Sequence, residues 1–134
     1  MRGGMILVDG KAGNEVGGNM RRGLIAIGGD VGDFPGVSML AGSVFVFGKA
    51  GQRAGAGMKR GTLAFFGDTP PLLPTFRRAC RYEPVFLRVY LRELRRAGFA
   101  VADEFFHGSY QRHSGDLVSL GKGEILVFDR ASRA

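Results

Sequence analysis

The side chains able to do acid–base or nucleophilic chemistry gather late in the chain, where His107 and His113 stand among Asp103, Glu104, Ser109, Ser114 and Asp116. A serine, a histidine and a carboxylate can transfer an acyl group, because the imidazole takes the hydroxyl proton while the carboxylate orients the ring. No spacing joins these residues into such a set, so no catalytic residue is assigned. Cys80 is the single cysteine and has no internal disulfide partner. One cysteine and two histidines do not make a zinc or haem set, and no metal ligand is assigned.

Three glycine-rich stretches invite phosphate or ion chemistry and fail on spacing. Gly55-Ala56-Gly57-Met58-Lys59-Arg60-Gly61 is one residue too long for a dinucleotide loop. Gly42 to Lys49 has five residues between its glycines and no hydroxyl residue after the lysine, so it is not a phosphate loop. Gly28-Gly29-Asp30-Val31-Gly32-Asp33 has the look of a calcium-binding β-roll, but the positions matching Asp30 one repeat away are Lys11 and Lys49.

The 134 residues suffice for one domain, and a formal charge of +7 favours anionic surroundings without choosing among nucleic acid, an acidic partner and simple solubility. Asp9 and Lys11 cut the N-terminal apolar run short of a signal peptide or a spanning helix, so a cytoplasmic protein is expected.

The glycines themselves belong to a repeat. Gly4, Gly23, Gly42 and Gly61 stand nineteen residues apart, as do Gly10, Gly29, Gly48 and Gly67, while Gly13, Gly32, Gly51 and Gly17, Gly36, Gly55 keep the same step. Met20, Met39 and Met58 follow it too. One unit reads G-x-[IVL]-x-[VIF]-x-G-x-x-G-x-x-x-G-x-x-M-x-x, a short strand of period two followed by turns. A unit this small cannot bury its own apolar side, so copies must stack with like residues above one another.

Stacking predicts inward ladders of Ile6, Ile25, Val44, Leu63; of Val8, Ile27, Val46, Phe65; of Ala12, Val31, Ala50; and of Met20, Met39, Met58. The outward positions Leu7, Ala26, Phe45, Ala64, Phe47 and Phe66 are too apolar for water. Either the C-terminal segment or another protein chain must cover them, and Phe45, Phe47 and Phe66 are the candidate interface residues. The first coil starts almost at Met1 without a cap, which suggests a shortened chain or a partner at that edge.

The coils occupy residues 1–68, a proline-rich connection 69–83, and a C-terminal helix and tail 84–134. Pro84 opens a helical pattern running to about residue 97, with Val85, Phe86, Val89, Tyr90, Leu94 and Ala97 on the apolar side. Arg88, Arg92, Arg95 and Arg96 take much of the opposite side, and Gly98 supplies the stop. Without an aromatic stacking stripe, those arginines read as a solvated or partner-facing side, not a nucleic-acid face. Phe99 to Val101 and Glu124 to Phe128 read as short strands joined by a loop holding Gly108, Gly115 and Gly121, the second strand placed to return to the coils.

The nineteen-residue unit resembles the GXGXG β-helix found in the C-terminal domain of glutamate synthase and in the C subunits of formylmethanofuran dehydrogenase. Met20-Arg21-Arg22-Gly23-Leu24-Ile25-Ala26-Ile27-Gly28-Gly29-Asp30-Val31-Gly32, Gly57-Met58-Lys59-Arg60-Gly61-Thr62-Leu63 and Leu72-Leu73-Pro74-Thr75-Phe76-Arg77 look like the second, in the form found in methylotrophic bacteria. So do Ser114-Gly115-Asp116-Leu117 and Leu120-Gly121-Lys122-Gly123-Glu124-Ile125-Leu126.

That resemblance implies a right-handed single-stranded β-helix and a non-catalytic scaffold in a formylmethanofuran dehydrogenase or formyltransferase/hydrolase complex. It implies one-carbon metabolism, with the metal and the methanofuran-type carrier on partner subunits and no cofactor on this chain. It also implies further coils ahead of this chain's start. The expected partners are the other subunits, with no nucleic acid and no membrane. A glutamate synthase-like spacer and a polyanion-binding module are the alternatives, and a hydrolase using His107 or His113 is a further one. Arg21, Arg22, Lys59 and Arg60 recur at one corner of the coil, where they would form a basic track for the acidic, glutamate-rich tail of such a carrier.

Overall fold

Read as hydrogen-bonded register, the nineteen-residue period builds the first four strands. A computed structural model describes residues 2–116 and 122–129; Met1, and the Leu117, Leu120 and Gly121 on which part of the resemblance rests, lie outside them. Strands β1 (Arg2–Val8), β2 (Arg22–Ile27), β3 (Ser43–Val46) and β4 (Thr62–Phe65) pair in parallel, one per coil. Ile6 lies beside Ile25, Ile25 beside Val44, and Val44 beside Leu63, so each rung meets the next at the repeat step. The result is a mainly β solenoid of about three turns.

The fifth rung comes from the C-terminal tail. Strand β7 (Gly123–Phe128) pairs in parallel with β4, setting Ile125 beside Leu63 and Val127 beside Phe65. Strands β5 (Arg77–Tyr82) and β6 (Tyr110–Gly115) then continue the sheet antiparallel, giving the order β1-β2-β3-β4-β7-β6-β5. Sequence periodicity shows neither of these two strands. The segment Phe99 to Val101, expected as a strand, is not one: it runs irregularly, with Phe99 and Val101 buried against the sheet. Side-chain burial produces its apolar pattern without ladder pairing.

Each face of the sheet has its own core. Inside the coils Ile25, Ile27, Val44, Val46, Leu63, Phe65, Ile125 and Val127 pack with Val31 and with Met20, Met39 and Met58, all three methionines fully buried. Leu72, Leu73 and Phe76, from the proline-rich connection, close the far end of this core. Ile6 keeps the register but is 46% exposed, because β1 is an edge strand.

Two glycine columns are required for different reasons. Gly61 has φ +104°, a left-handed conformation that side chains rarely adopt, as do its counterparts at 4, 23 and 42. At Gly48 φ is ordinary, but a Cβ would stand 2.5 Å from the backbone carbonyl of Gly29 on the rung beneath. The first column turns the chain and the second lets rungs touch.

Helix α1 (Val85–Arg96) lies across the outer face, beginning after Pro84 and ending before Gly98 at φ +93°. Arg95 and Arg96 in its last turn oppose the negative end of the helix dipole. The side it buries shares only Leu94 with the expected one. Leu87, Leu91 and Leu94 are fully buried, whereas Val85 and Val89 are 70% and 52% exposed and Phe86 and Tyr90 are also exposed. The helix has two apolar sectors, and the leucines at i, i+4 and i+7 form the narrower stripe that seats on a flat sheet.

Candidate functional site

The corner after the buried methionines carries the charge. Leu40 N–H donates to Met20 O at 2.8 Å, Lys59 N–H to Met39 O at 2.8 Å and Lys122 N–H to Lys59 O at 3.2 Å, so the same corner is stacked four rungs deep. Arg21, Arg22, Lys59 and Arg60 are all exposed there. The structure does not make them one continuous track: the rung between the two pairs presents Leu40 and Ala41. Two rungs of about 4.8 Å separate the pairs. Arg21 and Arg22 line a groove of about 440 Å³ with Met5, Leu24, Tyr90 and Glu93, while Lys59 and Arg60 are extended by Lys122. The repeat gives no hint of Lys122, which reaches this corner from outside the coils.

The three candidate interface aromatics are covered by their own chain. Phe45 and Phe66 are fully buried and Phe47 partly so, under α1 and the residues that follow it. Phe66 packs edge-on against Phe45 at 5.5 Å, Phe105 at 5.0 Å and Tyr110 at 5.8 Å, and stacks on Phe47 at 4.4 Å. Tyr110 Oη donates to Phe105 O at 2.8 Å, and burial raises its pKa well above the usual phenol range. Of the two possible covers for the outer face, the C-terminal segment takes Phe45 and Phe66 out of reach, while Phe47 stays partly exposed.

The residues that suggested catalysis are dispersed. Asp103 holds Arg95 at 2.9 Å, Asp116 is buried and accepts the Gly57 N–H at 3.0 Å, and the two histidines line separate grooves. His113 lies opposite Arg78 on the neighbouring strand. Burial, and then the Arg78 charge, lower its pKa below the usual imidazole range. The aspartates that suggested calcium bind backbone instead. Asp30 Oδ1 accepts from Lys49 N–H at 2.7 Å and Asp33 Oδ1 from Gln52 N–H at 2.8 Å, each tying one rung to the next. Among the described residues no three His, Cys, Asp or Glu side chains group closely enough to hold a metal ion.

A stacked sheet, parallel through its coil strands and β7, walled by turns on one face and by its own helix on the other, defines a β-solenoid with an integral C-terminal cover. Within that class the chain is similar to the C subunit of the formyltransferase/hydrolase complex Fhc of Methylorubrum extorquens, with 43% identity over 56 residues, which is 42% of this chain and 21% of the relative. The crystal structure of the formyltransferase/hydrolase complex (FhcABCD) from the same organism, in complex with methylofuran, contains a chain of TM-score 0.52 and 29% identity. That likeness covers 97% of this chain and 65% of the other, so this chain spans less than two thirds of the length of either relative. No family model matches the chain.

Proposed function

We propose that this chain is a non-catalytic scaffold, the C subunit of a formyltransferase/hydrolase complex of the formylmethanofuran dehydrogenase type, acting in one-carbon metabolism. The observation that supports this most is the extent of the structural likeness. It runs over 97% of the chain, through α1 and the strands after it as well as the repeat, where a shared coil motif alone would match only the first half. The partners in this reading are the other subunits of the complex, which carry the metal and the methanofuran-type carrier. The setting is the cytoplasm of a methylotroph-type cell, and among the described residues no helix is long and apolar enough to cross a membrane.

A solenoid suits this task for a physical reason. Every rung is bonded to the next through backbone, and both faces of the sheet are packed. Such a body holds bound subunits at fixed spacing with little internal motion. The experiment that tests the reading is affinity capture of the tagged chain from its native cell.

The basic corner has a second role in this reading, as a contact for the acidic tail of the carrier. Arg60 and Lys59, with Lys122 beside them, supply cations in water, where each contact adds modestly and is screened by salt. Lys59→Glu with Arg60→Glu is expected to raise the KM of the assembled complex for a long-tailed carrier more than for a short-tailed analogue. Equal changes for the two carriers would remove the corner from substrate handling.

A further inference from the structure

The arginines of α1 face a concavity. Arg88, Arg92 and Arg95 stand at i, i+4 and i+7 on one side of the helix and line a groove of about 380 Å³. Its opposite wall is made by Asp103 and Phe106, the two ends of the single-turn 3₁₀ segment Asp103–Phe106, with His107 after them. We propose that this groove binds a ligand bearing two linked oxyanion groups, of the diphosphate or polycarboxylate kind.

The charge balance favours an anion. Three guanidiniums line the groove against one carboxylate, that of Asp103. Asp103 takes Arg95 at 2.9 Å, while Arg88 meets Glu83, outside the groove, at 3.5 Å. Arg92 has no ion pair among the described residues. Arg92 is therefore the guanidinium of the groove that no described residue neutralises.

One of the three cations is fixed in place. Arg95 donates to Val101 O as well as to Asp103, and its guanidinium lies over the Phe106 ring at 4.4 Å from the centroid. A guanidinium held on three sides loses less freedom on meeting a ligand than one free in water, and its planar fork suits oxyanions. A solvated arginine face needs neither the fixed member nor the facing wall. Linked anionic groups suit this layout: Arg88 and Arg95 are seven residues apart, about 10 Å of helix rise. Their long side chains, with that of Arg92 between them, line one groove from which each can meet a different oxyanion of the same ligand.

Inorganic pyrophosphate, citrate and inorganic phosphate are the probes, titrated into the full isotopically labelled chain at low salt. Pyrophosphate or citrate should saturate, with the largest amide shifts in residues 103–107, and should bind more tightly than phosphate. Preference between the first two identifies the ligand as phosphoryl or carboxylate. Arg92→Glu should weaken binding about tenfold or more without changing the melting temperature, since Arg92 is exposed and makes no ion pair among the described residues. Arg88→Glu provides a second reading of the same effect, and Arg77→Glu, on β5, makes the same charge change away from the groove. Failure of all three anions to saturate would overturn the proposal, as would equal loss of binding in Arg77→Glu and Arg92→Glu.

Discussion

Gly48→Ala should destabilise the chain by about 3 kcal/mol or more in urea denaturation, a large effect for adding one methyl group. The new Cβ would stand 2.5 Å from the carbonyl carbon and oxygen of Gly29, and backbone there cannot withdraw without parting two rungs. Gly10→Ala is the internal control. It occupies the same column one repeat before Gly29, yet a Cβ there meets nothing within 4 Å, and its stability should stay within about 0.5 kcal/mol of the parent. Similar losses at the two positions would mean that the column keeps its spacing for a reason other than rung contact.

Phe66→Ala should cost about 3–5 kcal/mol, read by the same denaturation experiment. Phe66 is fully buried and touches at least four aromatic rings, so its removal opens a cavity between the sheet and its C-terminal cover. Val85→Ala, on the exposed side of α1, should change stability by no more than about 0.5 kcal/mol. If Phe66→Ala were nearly neutral and Val85→Ala costly, the helix would have to sit on the sheet by its other apolar side.

The coils are legible because a fixed period carries register with it. Once Gly4, Gly23, Gly42 and Gly61 align, the neighbours of Ile25 and Val44 follow by counting, and the solenoid needs no other information. The C-terminal half has no such rule. Arg77–Tyr82 and Tyr110–Gly115 are polar, do not alternate and become strands only by pairing with each other and with β7. Leu87 and Leu91 escape a reading of the sequence because α1 has two apolar sectors, and the choice between them is made by the sheet beneath.

The same division holds for the site. Arg21, Arg22, Lys59 and Arg60 can be placed at one corner because they follow the methionine column. The insulating rung of Leu40 and Ala41 is equally countable, whereas Lys122 is not, since it arrives from outside the repeat. The groove of Arg88, Arg92 and Arg95 is visible as a charged helix face. Its opposing wall, and the clamping of Arg95 by Asp103 and Phe106, arise only when the turn at 103–106 folds against the helix.

The scaffold reading is tested most directly by capturing the tagged chain from its native cell and identifying the bound proteins by mass spectrometry. Formyltransferase-like and metallohydrolase-like subunits should be recovered together, in constant proportion to the chain through size-exclusion chromatography. Recovery of the chain alone and monomeric would contradict the account, and a turnover of formylated carrier by that purified chain would assign it the catalysis placed here on its partners.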